Sequence, residues 1–480
     1  MSLLSYLLRP SELRAIVQYK LYYSPLNRRI PELESTTRRR CYEFLVQTSR
    51  SFSSVIQELK PELREPVCCN KGDISLTDFK VMIFYLILRG LDTIEDDMTI
   101  PIETKLRMLP EFHTYLSGPN EKDRRLLVEF DTVLQEYATI NPQYQEVIRK
   151  STERMGKGMA AYIDNADHNK NGINTIRDYD VYCHYVAGLV GEGLSQLFAA
   201  SGLEDKRYAD MDDLSNSMGL FLQKTNIIRD YREDLDDGRR FWPKEIWSKY
   251  ANDLSDFTDP KNEESALACL SDMVLDALEH SRDSLVYLCG LKDQSIFNFC
   301  AIPQVMAIAT LALVFRNRNV FHTNVKIRKG QACDMIMKMG NQRVVAQIFL
   351  QYVREIHFKN TPKDPNFLKI SIECAKVEQW YETVFPRNRV PKCLSHGPVP
   401  AGEQCVILSP EEQAQIDKDT RIIIFAAVCA WLAIGGLMLF VAWCFGADIP
   451  TALKSIPSRL FKTFDSTAHH PSSSMPRSEL

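Results

Sequence analysis

The chain has 480 residues, of which 45% are hydrophobic and 25% charged, and its formal net charge is −4. This length suits one large domain or two to three ordinary ones, and the charge balance gives no reason to expect a nucleic acid as a partner. The 13 cysteines include no Cys-x-x-Cys pair and no Cys/His group with zinc-site spacing, and no Asn-x-Ser/Thr sequon occurs. Both features favour a protein whose body lies in the reducing environment of the cytosol.

Residues 1–35 are expected to form a peripheral segment, because the short apolar run Leu3–Leu8 lacks the basic start and cleavage site of a signal peptide. Helical periodicity begins at Thr36. The polar stretch Thr48–Ser53 closes one helix, and its residues alone fit an ordinary helix end. The turn formers at 70–73 predict an exposed loop, after which Ile83–Asp97 should be helical.

An acidic cluster ends the first strongly apolar helix. Asp92 and Asp96 are four residues apart, Glu95 lies between them, and Arg89 precedes them. A single Asp-x-x-x-Asp of this kind is more typical of a solvated helix face than of a binding site.

The second acidic cluster lies in Gln223–Asp234. Read as one helix, this stretch puts Gln223, Asn226, Asp230 and Asp234 on one face, since their offsets of 0, 3, 7 and 11 fall near whole turns. Two carboxylates and two amides inside an apolar helix need a compensating partner. Hard oxygen ligands suit Mg²⁺, so the two clusters together predict a helical cavity that binds Mg²⁺ and a diphosphate.

Three further stretches allow two interpretations each from their residues. Gly188, Gly191 and Gly193 follow Tyr182 in one predicted helix and favour close helix packing over a bulky ligand. Phe297 and Phe299 belong to an aromatic stripe, which is more often core than site. The cations of 326–329, taken alone, form a surface patch. The loop with Arg239 and Arg240 is either a solvated loop or a mobile lid whose arginines bind the diphosphate oxygens.

These motifs resemble those of the squalene synthase (farnesyl-diphosphate farnesyltransferase) family, in its membrane-anchored eukaryotic form. The similarity rests on the aspartate motifs Asp92–Asp96 and Asp230–Asp234 and on three other stretches, covering roughly 36–385. Those stretches are Tyr182–Gly191, Phe297–Gln304 and Val325–Gly330. Residues 69–82 are an insert relative to the family. In the family, the residues that match Val67 and Cys68 are followed almost directly by the helix that carries the first aspartate motif.

The resemblance implies a set of site residues with roles in catalysis and binding. The expected catalytic residues are Tyr182, Asp92, Asp96, Asp230, Asp234, Phe297 and Phe299. The expected magnesium ligands are Asp92, Glu95, Asp96, Asn226, Asp230 and Asp234. Substrate binding is expected from Arg50, Phe52, Arg89, Gln223, Arg229 and Arg239, and NADPH binding from Ser51, Lys326 and Arg328.

The C-terminal region is expected to anchor the protein in a membrane. Residues 386–420 are rich in Pro and Gly and read as a linker, and 447–480 as a tail. Between them, Ile422–Phe445 contains 24 residues without a charge, which suffices to span a bilayer, and we take it as the only such run. We therefore predict a transmembrane helix at 421–446 that leaves the catalytic body in the cytosol. The resemblance implies that the membrane is that of the endoplasmic reticulum.

The sequence thus predicts an all-α fold, because no sustained period-two alternation occurs. By the resemblance, 36–385 is one large helical bundle of the isoprenoid synthase type around a central cavity, monomeric in its catalytic domain. It would join two molecules of farnesyl diphosphate to presqualene diphosphate and reduce this to squalene with Mg²⁺ and NADPH, the first committed step of sterol biosynthesis. The alternatives are a phytoene-synthase-like enzyme without a reductant and a non-enzymatic tail-anchored scaffold.

The scaffold alternative can be tested on the two aspartate clusters. If the clusters are only solvated surface, the double variant Asp92→Asn, Asp230→Asn should be at least as stable as the wild type and should bind Mg²⁺ no more weakly. The enzyme reading predicts that Mg²⁺ binding is lost, which a calorimetric Mg²⁺ titration of both proteins would show.

Overall fold

The computed structural model describes residues 9–23, 35–49, 53, 55–56, 58–59, 80–97, 99–116, 130–164 and 172–386, and scattered positions between 415 and 438. The chain forms two compact units, Met1–Ile407 and Leu408–Leu480. Arg50, Ser51 and Phe52 lie outside the described residues, as do most of the 69–82 insert, nearly all of the predicted linker, most of the predicted membrane span and the tail.

Helices make up the regular structure of the described part of the chain, which contains no strand. The first eight helices are Pro10–Gln18 (α1), Thr36–Thr48 (α2), Lys80–Asp96 (α3), Ile102–Tyr115 (α4), Phe130–Thr139 (α5), Pro142–Asp164 (α6), Ile176–Cys183 (α7) and Leu189–Ser201 (α8). The next are Asp212–Arg229 (α9), Tyr231–Asp236 (α10), Lys244–Trp247 (α11), Glu263–Leu278 (α12), Ser281–Gly290 (α13), Gln294–Val314 (α14), Lys329–Lys338 (α15), Gln342–Lys359 (α16) and Phe367–Val384 (α17). Short π-helical turns occupy Tyr19–Tyr23 and His184–Gly188, and 3-10 turns Lys206–Asp210, Leu254–Thr258, Pro260–Asn262 and Arg318–Phe321. The all-α prediction is confirmed.

Several helices begin at side-chain caps that satisfy the first backbone N–H groups. The Thr175 hydroxyl accepts from the Asp178 N–H, and the Asp178 side chain reciprocates, which forms a capping box ahead of α7. Asp293 caps α14 by accepting from the backbone of Ser295 and Ile296. At the other end of α8, Gly202 takes a left-handed conformation with φ of 74°.

Helix α9 is the centre of the bundle and packs against α8, α12, α13, α14 and the π-turn His184–Gly188. The prediction of one continuous helix through Gln223–Asp234 is wrong at one residue. Helix α9 ends at Arg229, Asp230 has φ of −92° and ψ of 9°, and α10 starts at Tyr231. Directly after this residue, the buried Tyr231 ring packs against Trp242 and Phe321.

The predicted close packing at the glycines is confirmed. A Cβ at Gly193 would lie 2.6 Å from Phe84 Cζ in α3, and one at Gly191 would meet the backbone of Ser215 in α9. Gly219 of α9 approaches the opposite backbone, since its Cβ would lie 2.8 Å from the Cα of Gly188. The π-helical turn His184–Gly188 joins α7 to α8 without a break, so the predicted helix runs through it.

Helix α14 passes the length and hydropathy test of a membrane span, yet 78% of its most apolar window is buried inside the protein. The expectation that Ile422–Phe445 is the only such run is therefore wrong. Helix α14 is uncharged because it contacts α9 and α16 inside the bundle, where charged side chains would lose their hydration.

We predict that Gly219→Ala lowers the free energy of unfolding by about 1–3 kcal/mol, because its new methyl group would overlap the backbone of Ala187 and Gly188. This cost should exceed the gain of about 1 kcal/mol in helix propensity. Gly340→Ala is the control, since a Cβ there meets nothing within 4 Å and should change stability by only about 0.5 kcal/mol or less. Urea unfolding of the three proteins measures both values, and equal stability of Gly219→Ala and the wild type would contradict the packing.

Candidate active site

Asp230 lies at the junction of α9 and α10 and accepts hydrogen bonds from two side chains. Arg229 donates from Nε to Oδ1 over 2.8 Å and from Nη2 to Oδ2 over 2.5 Å. Asn324 donates from Nδ2 to Oδ1 over 2.8 Å. The carboxylate is therefore held by a bidentate guanidinium and a neutral amide, while the side chain stays about one quarter exposed, at 23%.

Asp234, one turn further on, is the more deeply enclosed carboxylate. Arg239 donates to its Oδ1 from Nε over 3.2 Å, and the Arg239 Nη2 lies 3.0 Å from the same oxygen. Burial raises the pKa of Asp234 to about 6, an effect that Arg239 opposes and the nearby Asp230 charge reinforces. This site therefore contains a carboxylate whose negative charge is only partly compensated.

Gln223 and Asn226 lie three residues apart on α9, and both are half-buried, whereas Lys224, Ile227 and Ile228 are buried. This distribution agrees with the predicted polar face. The Lys224 ammonium lies 2.6 Å from Asp180 Oδ1 of α7 and 2.8 Å from Asp276 Oδ2 of α12.

The first aspartate cluster lies at the end of α3, which covers almost all of the predicted helix Ile83–Asp97. Arg89 Nη1 is 3.5 Å from Asp92 Oδ2, and the backbone carbonyl of Glu95 accepts from the buried Lys105 ammonium. The Asp96 side chain lies outside the described part of the structure. Helix α3 packs against α8, and α8 packs against α9, so one shared helix connects the elements that carry the two clusters.

Among the described side chains, which do not include that of Asp96, no three His, Cys, Asp or Glu residues converge as a metal site. The donor chemistry at the second cluster nevertheless fits a hard divalent cation. Asp230 and Asp234 offer carboxylate oxygens, and the Asn324 Oδ1 beside them is buried without a hydrogen-bond partner.

The three aromatic residues predicted to be catalytic, Tyr182, Phe297 and Phe299, are all buried. Tyr182 lies between two rings, stacked on Phe241 at 5.2 Å and edge-on to Tyr162 at 5.2 Å. Phe299 lies edge-on to Phe198 of α8, with ring centroids 6.0 Å apart. Residues two apart on a helix do not share a face, so Phe297 and Phe299 point toward different neighbours.

The predicted cofactor cations lie between the second aspartate cluster and the N-terminal helix. Lys326 Nζ is 4.0 Å from Glu233, and Arg328 Nε donates to Glu12 Oε1 of α1 over 2.7 Å. Gly330 at the start of α15 allows this docking, because a Cβ there would lie 2.8 Å from the Glu12 Cα.

Sequence reasoning missed the contacts of Glu12, Asn324 and Lys224. Lys224 carries a recognisable signal, since an isolated lysine amid buried aliphatic positions needs acidic partners. Glu12 and Asn324 carry none, because their contacts join residues far apart in the chain.

At pH 8 and without divalent cations, we expect Asp234→Asn to be more stable than the wild type. A folded pKa of about 6 lies above the unfolded value of about 3.9, so the unfavourable charge is fully present above pH 6 and absent below pH 4. Two pKa units correspond to about 3 kcal/mol, and this figure already includes the attraction of Arg239, so we expect a net gain of about 1–3 kcal/mol.

Urea unfolding in EDTA between pH 4 and 8 measures this gain, which should disappear as the pH falls to 4. The exposed Asp213→Asn is the control and should show no comparable pH-dependent gain. A stability difference between Asp234→Asn and the wild type that does not change with pH would contradict the assignment.

The family model described as squalene/phytoene synthase matches residues 79–331. A probable squalene synthase of Neurospora crassa is 48% identical over 465 residues, which cover 95% of this chain and 92% of that protein. A squalene synthase of Schizosaccharomyces pombe is 53% identical over 431 residues, which cover 86% of this chain and 90% of that protein.

A solved structure of TcSQS with the ligand E5700 has the same fold. It is 42% identical, superposes with a TM-score of 0.67, and matches 72% of this chain and 99% of its own. The resemblance drawn from the aspartate motifs is thus confirmed over nearly the whole chain. This chain belongs to the squalene/phytoene synthase family.

Proposed function

We propose that this chain joins two molecules of farnesyl diphosphate head to head and reduces the resulting presqualene diphosphate to squalene, the first committed step of sterol biosynthesis. The observation that carries this proposal is near full-length similarity to proteins named squalene synthases, including 53% identity across 90% of the Schizosaccharomyces pombe protein. The two aspartate clusters on α3 and at the α9–α10 junction support it.

The acidic residues of both clusters are proposed to hold Mg²⁺, together with an amide from α9. The set comprises Asp92, Glu95, Asp96, Asn226, Asp230 and Asp234. When bound, Mg²⁺ would neutralise the negative charge that develops on the departing diphosphate.

Three arginines and a glutamine are proposed to hold the diphosphate oxygens. Arg89, Arg229 and Arg239 each lie beside an aspartate of the clusters, at 3.5, 2.5 and 3.0 Å respectively. A guanidinium suits this role because its paired N–H groups match the oxygens of phosphate as well as of carboxylate. Gln223 would add an amide donor from the same face of α9, and Arg50 and Phe52 are proposed to contact the substrate as well.

Tyr182 is proposed to accept the proton whose loss from carbon closes the cyclopropane of presqualene diphosphate. The carbon–hydrogen electron pair forms the ring bond, and as the hydroxyl oxygen accepts this proton it passes its own proton to the departing diphosphate, so the tyrosine stays neutral. The stacking of Tyr182 on Phe241 and against Tyr162 supports this role, because the rings exclude water from its surroundings.

The second half-reaction breaks the bond from carbon to diphosphate and ends with hydride transfer from NADPH. Phe297 and Phe299 are proposed to stabilise the intermediate cations by cation–π attraction until the hydride arrives. Ser51, Lys326 and Arg328 are proposed to bind NADPH. The described residues contain no strand and therefore no Rossmann unit.

The catalytic body is proposed to face the cytosol as a monomer, held at the endoplasmic reticulum by a single C-terminal helix. The uncharged run Ile422–Phe445 supports an anchor. A membrane location also suits the product, because a thirty-carbon hydrocarbon partitions into a bilayer.

The test is a product assay on the purified chain with farnesyl diphosphate and Mg²⁺, with and without NADPH. We expect squalene when NADPH is present and accumulation of presqualene diphosphate when it is absent. Chromatography with mass detection distinguishes these products, and Asp230→Asn with Asp234→Asn is the inactive control.

Other products would favour an alternative. A phytoene-synthase-like reaction would consume farnesyl diphosphate but yield a condensation product that does not change with NADPH. No consumption under either condition would contradict the proposal, and the same assay would then be repeated with residues 69–82 deleted.

A further inference from the structure

Asn324 has a donor that is used and an acceptor that is not. Its Nδ2 donates to Asp230 Oδ1 over 2.8 Å. Its Oδ1 is buried and has no hydrogen-bond partner. A buried polar atom left unpaired costs about 1–3 kcal/mol, so the position of this oxygen beside Asp230 calls for an explanation.

The segment 324–328 has one polar edge and one apolar edge. Asn324, Lys326 and Arg328 contact the acidic residues Asp230, Glu233 and Glu12 respectively. The intervening Val325 and Ile327 pack against the hydrophobic core. This alternation is typical of extended backbone, in which residues two apart point the same way. We call 324–328 the cation segment.

Both ends of the cation segment are fixed. Before it, the buried Phe321 ring packs edge-on against Tyr231 of α10, with centroids 5.2 Å apart. After it, Arg328 is paired with Glu12. The position of Asn324 relative to Asp230 is therefore set by packing on both sides and does not depend on this hydrogen bond alone.

An asparagine suits this position better than a charged residue. Arg229 already binds both oxygens of Asp230, and a second cation there would compete with a metal ion for the carboxylate. A carboxylate would repel Asp230 and could not donate to it. The neutral amide orients Asp230 without changing its charge, and its carbonyl oxygen can accept from a water on a bound cation.

We propose that Asn324 is a positioning residue that orients Asp230 for a divalent cation with diphosphate and, through its free Oδ1, accepts a hydrogen bond from the hydrated ion. The same contact ties the cation segment to the second aspartate cluster. This inference rests on the proposed function, since it assumes that Asp230 binds Mg²⁺.

The test uses the full-length protein in detergent and measures thermal stabilisation by Mg²⁺ in the presence of inorganic diphosphate. We expect Asn324→Ala to raise the Mg²⁺ concentration for half-maximal stabilisation by about 10- to 100-fold, the usual loss when a partner of a metal ligand is removed. Without Mg²⁺, its melting temperature should stay close to that of the wild type. Asn319→Ala, an exposed asparagine in the neighbouring 3-10 turn, is the matched control and should behave as the wild type.

Two results would overturn the inference, and they differ. If the wild type responds to Mg²⁺ and diphosphate but Asn324→Ala responds at the same concentrations within about twofold, Asn324 has no positioning role. If the wild type does not respond, the proposed metal site fails and this inference fails with it. Should Asn324→Ala not fold, the same titration on Asn324→Leu, which keeps the side-chain shape without its polar atoms, decides.

Discussion

The buried ammonium of Lys224 fixes the element on which the site depends. Its side chain is only 2% exposed and lies between Asp180 of α7 and Asp276 of α12. Burial alone would lower the pKa of Lys224, but the attraction of Asp276 and Asp180 raises it instead. Rotating α9 would separate these charges in the interior, at a cost of several kcal/mol. The pairs therefore fix the rotation of α9, and with it the direction in which Gln223 and Asn226 point.

Paired charges also stabilise the second aspartate cluster, but there the pairing is incomplete. Asp230 and Asp234 are each matched by an arginine, so the two carboxylates can lie one turn apart at partial burial. The match is incomplete, because burial and the charge of Asp230 still raise the pKa of Asp234 to about 6. Uncompensated negative charge lowers the stability of the unliganded protein but favours the binding of a cation. Such a trade-off between stability and function is common at active sites.

The helices that carry the two clusters could be predicted from the sequence, because they depend on local periodicity. The spacing of Asp92 and Asp96 and of Gln223 and Asn226 predicted helices with polar faces, and α3 and α9 have that form. Other features could not be read in this way. The Tyr231 ring at the start of α10 packs against the distant Phe321, and Glu12 contacts Arg328 across more than three hundred residues. Neither contact leaves a pattern within a window of neighbouring residues.

The uncharged helix α14 shows the limit of composition as evidence. A run of 21 apolar and neutral residues satisfies the requirements of a membrane span and of a core helix equally well, since both environments exclude charge. By itself the sequence determined the helical class, the two acidic clusters and the family, because each is written in residue types at fixed spacing. Only the tertiary structure decided that α14 lies in the core, that Lys224 fixes α9 and that Asn324 contacts Asp230. These depend on which distant segments meet, and that is set by packing of the whole chain.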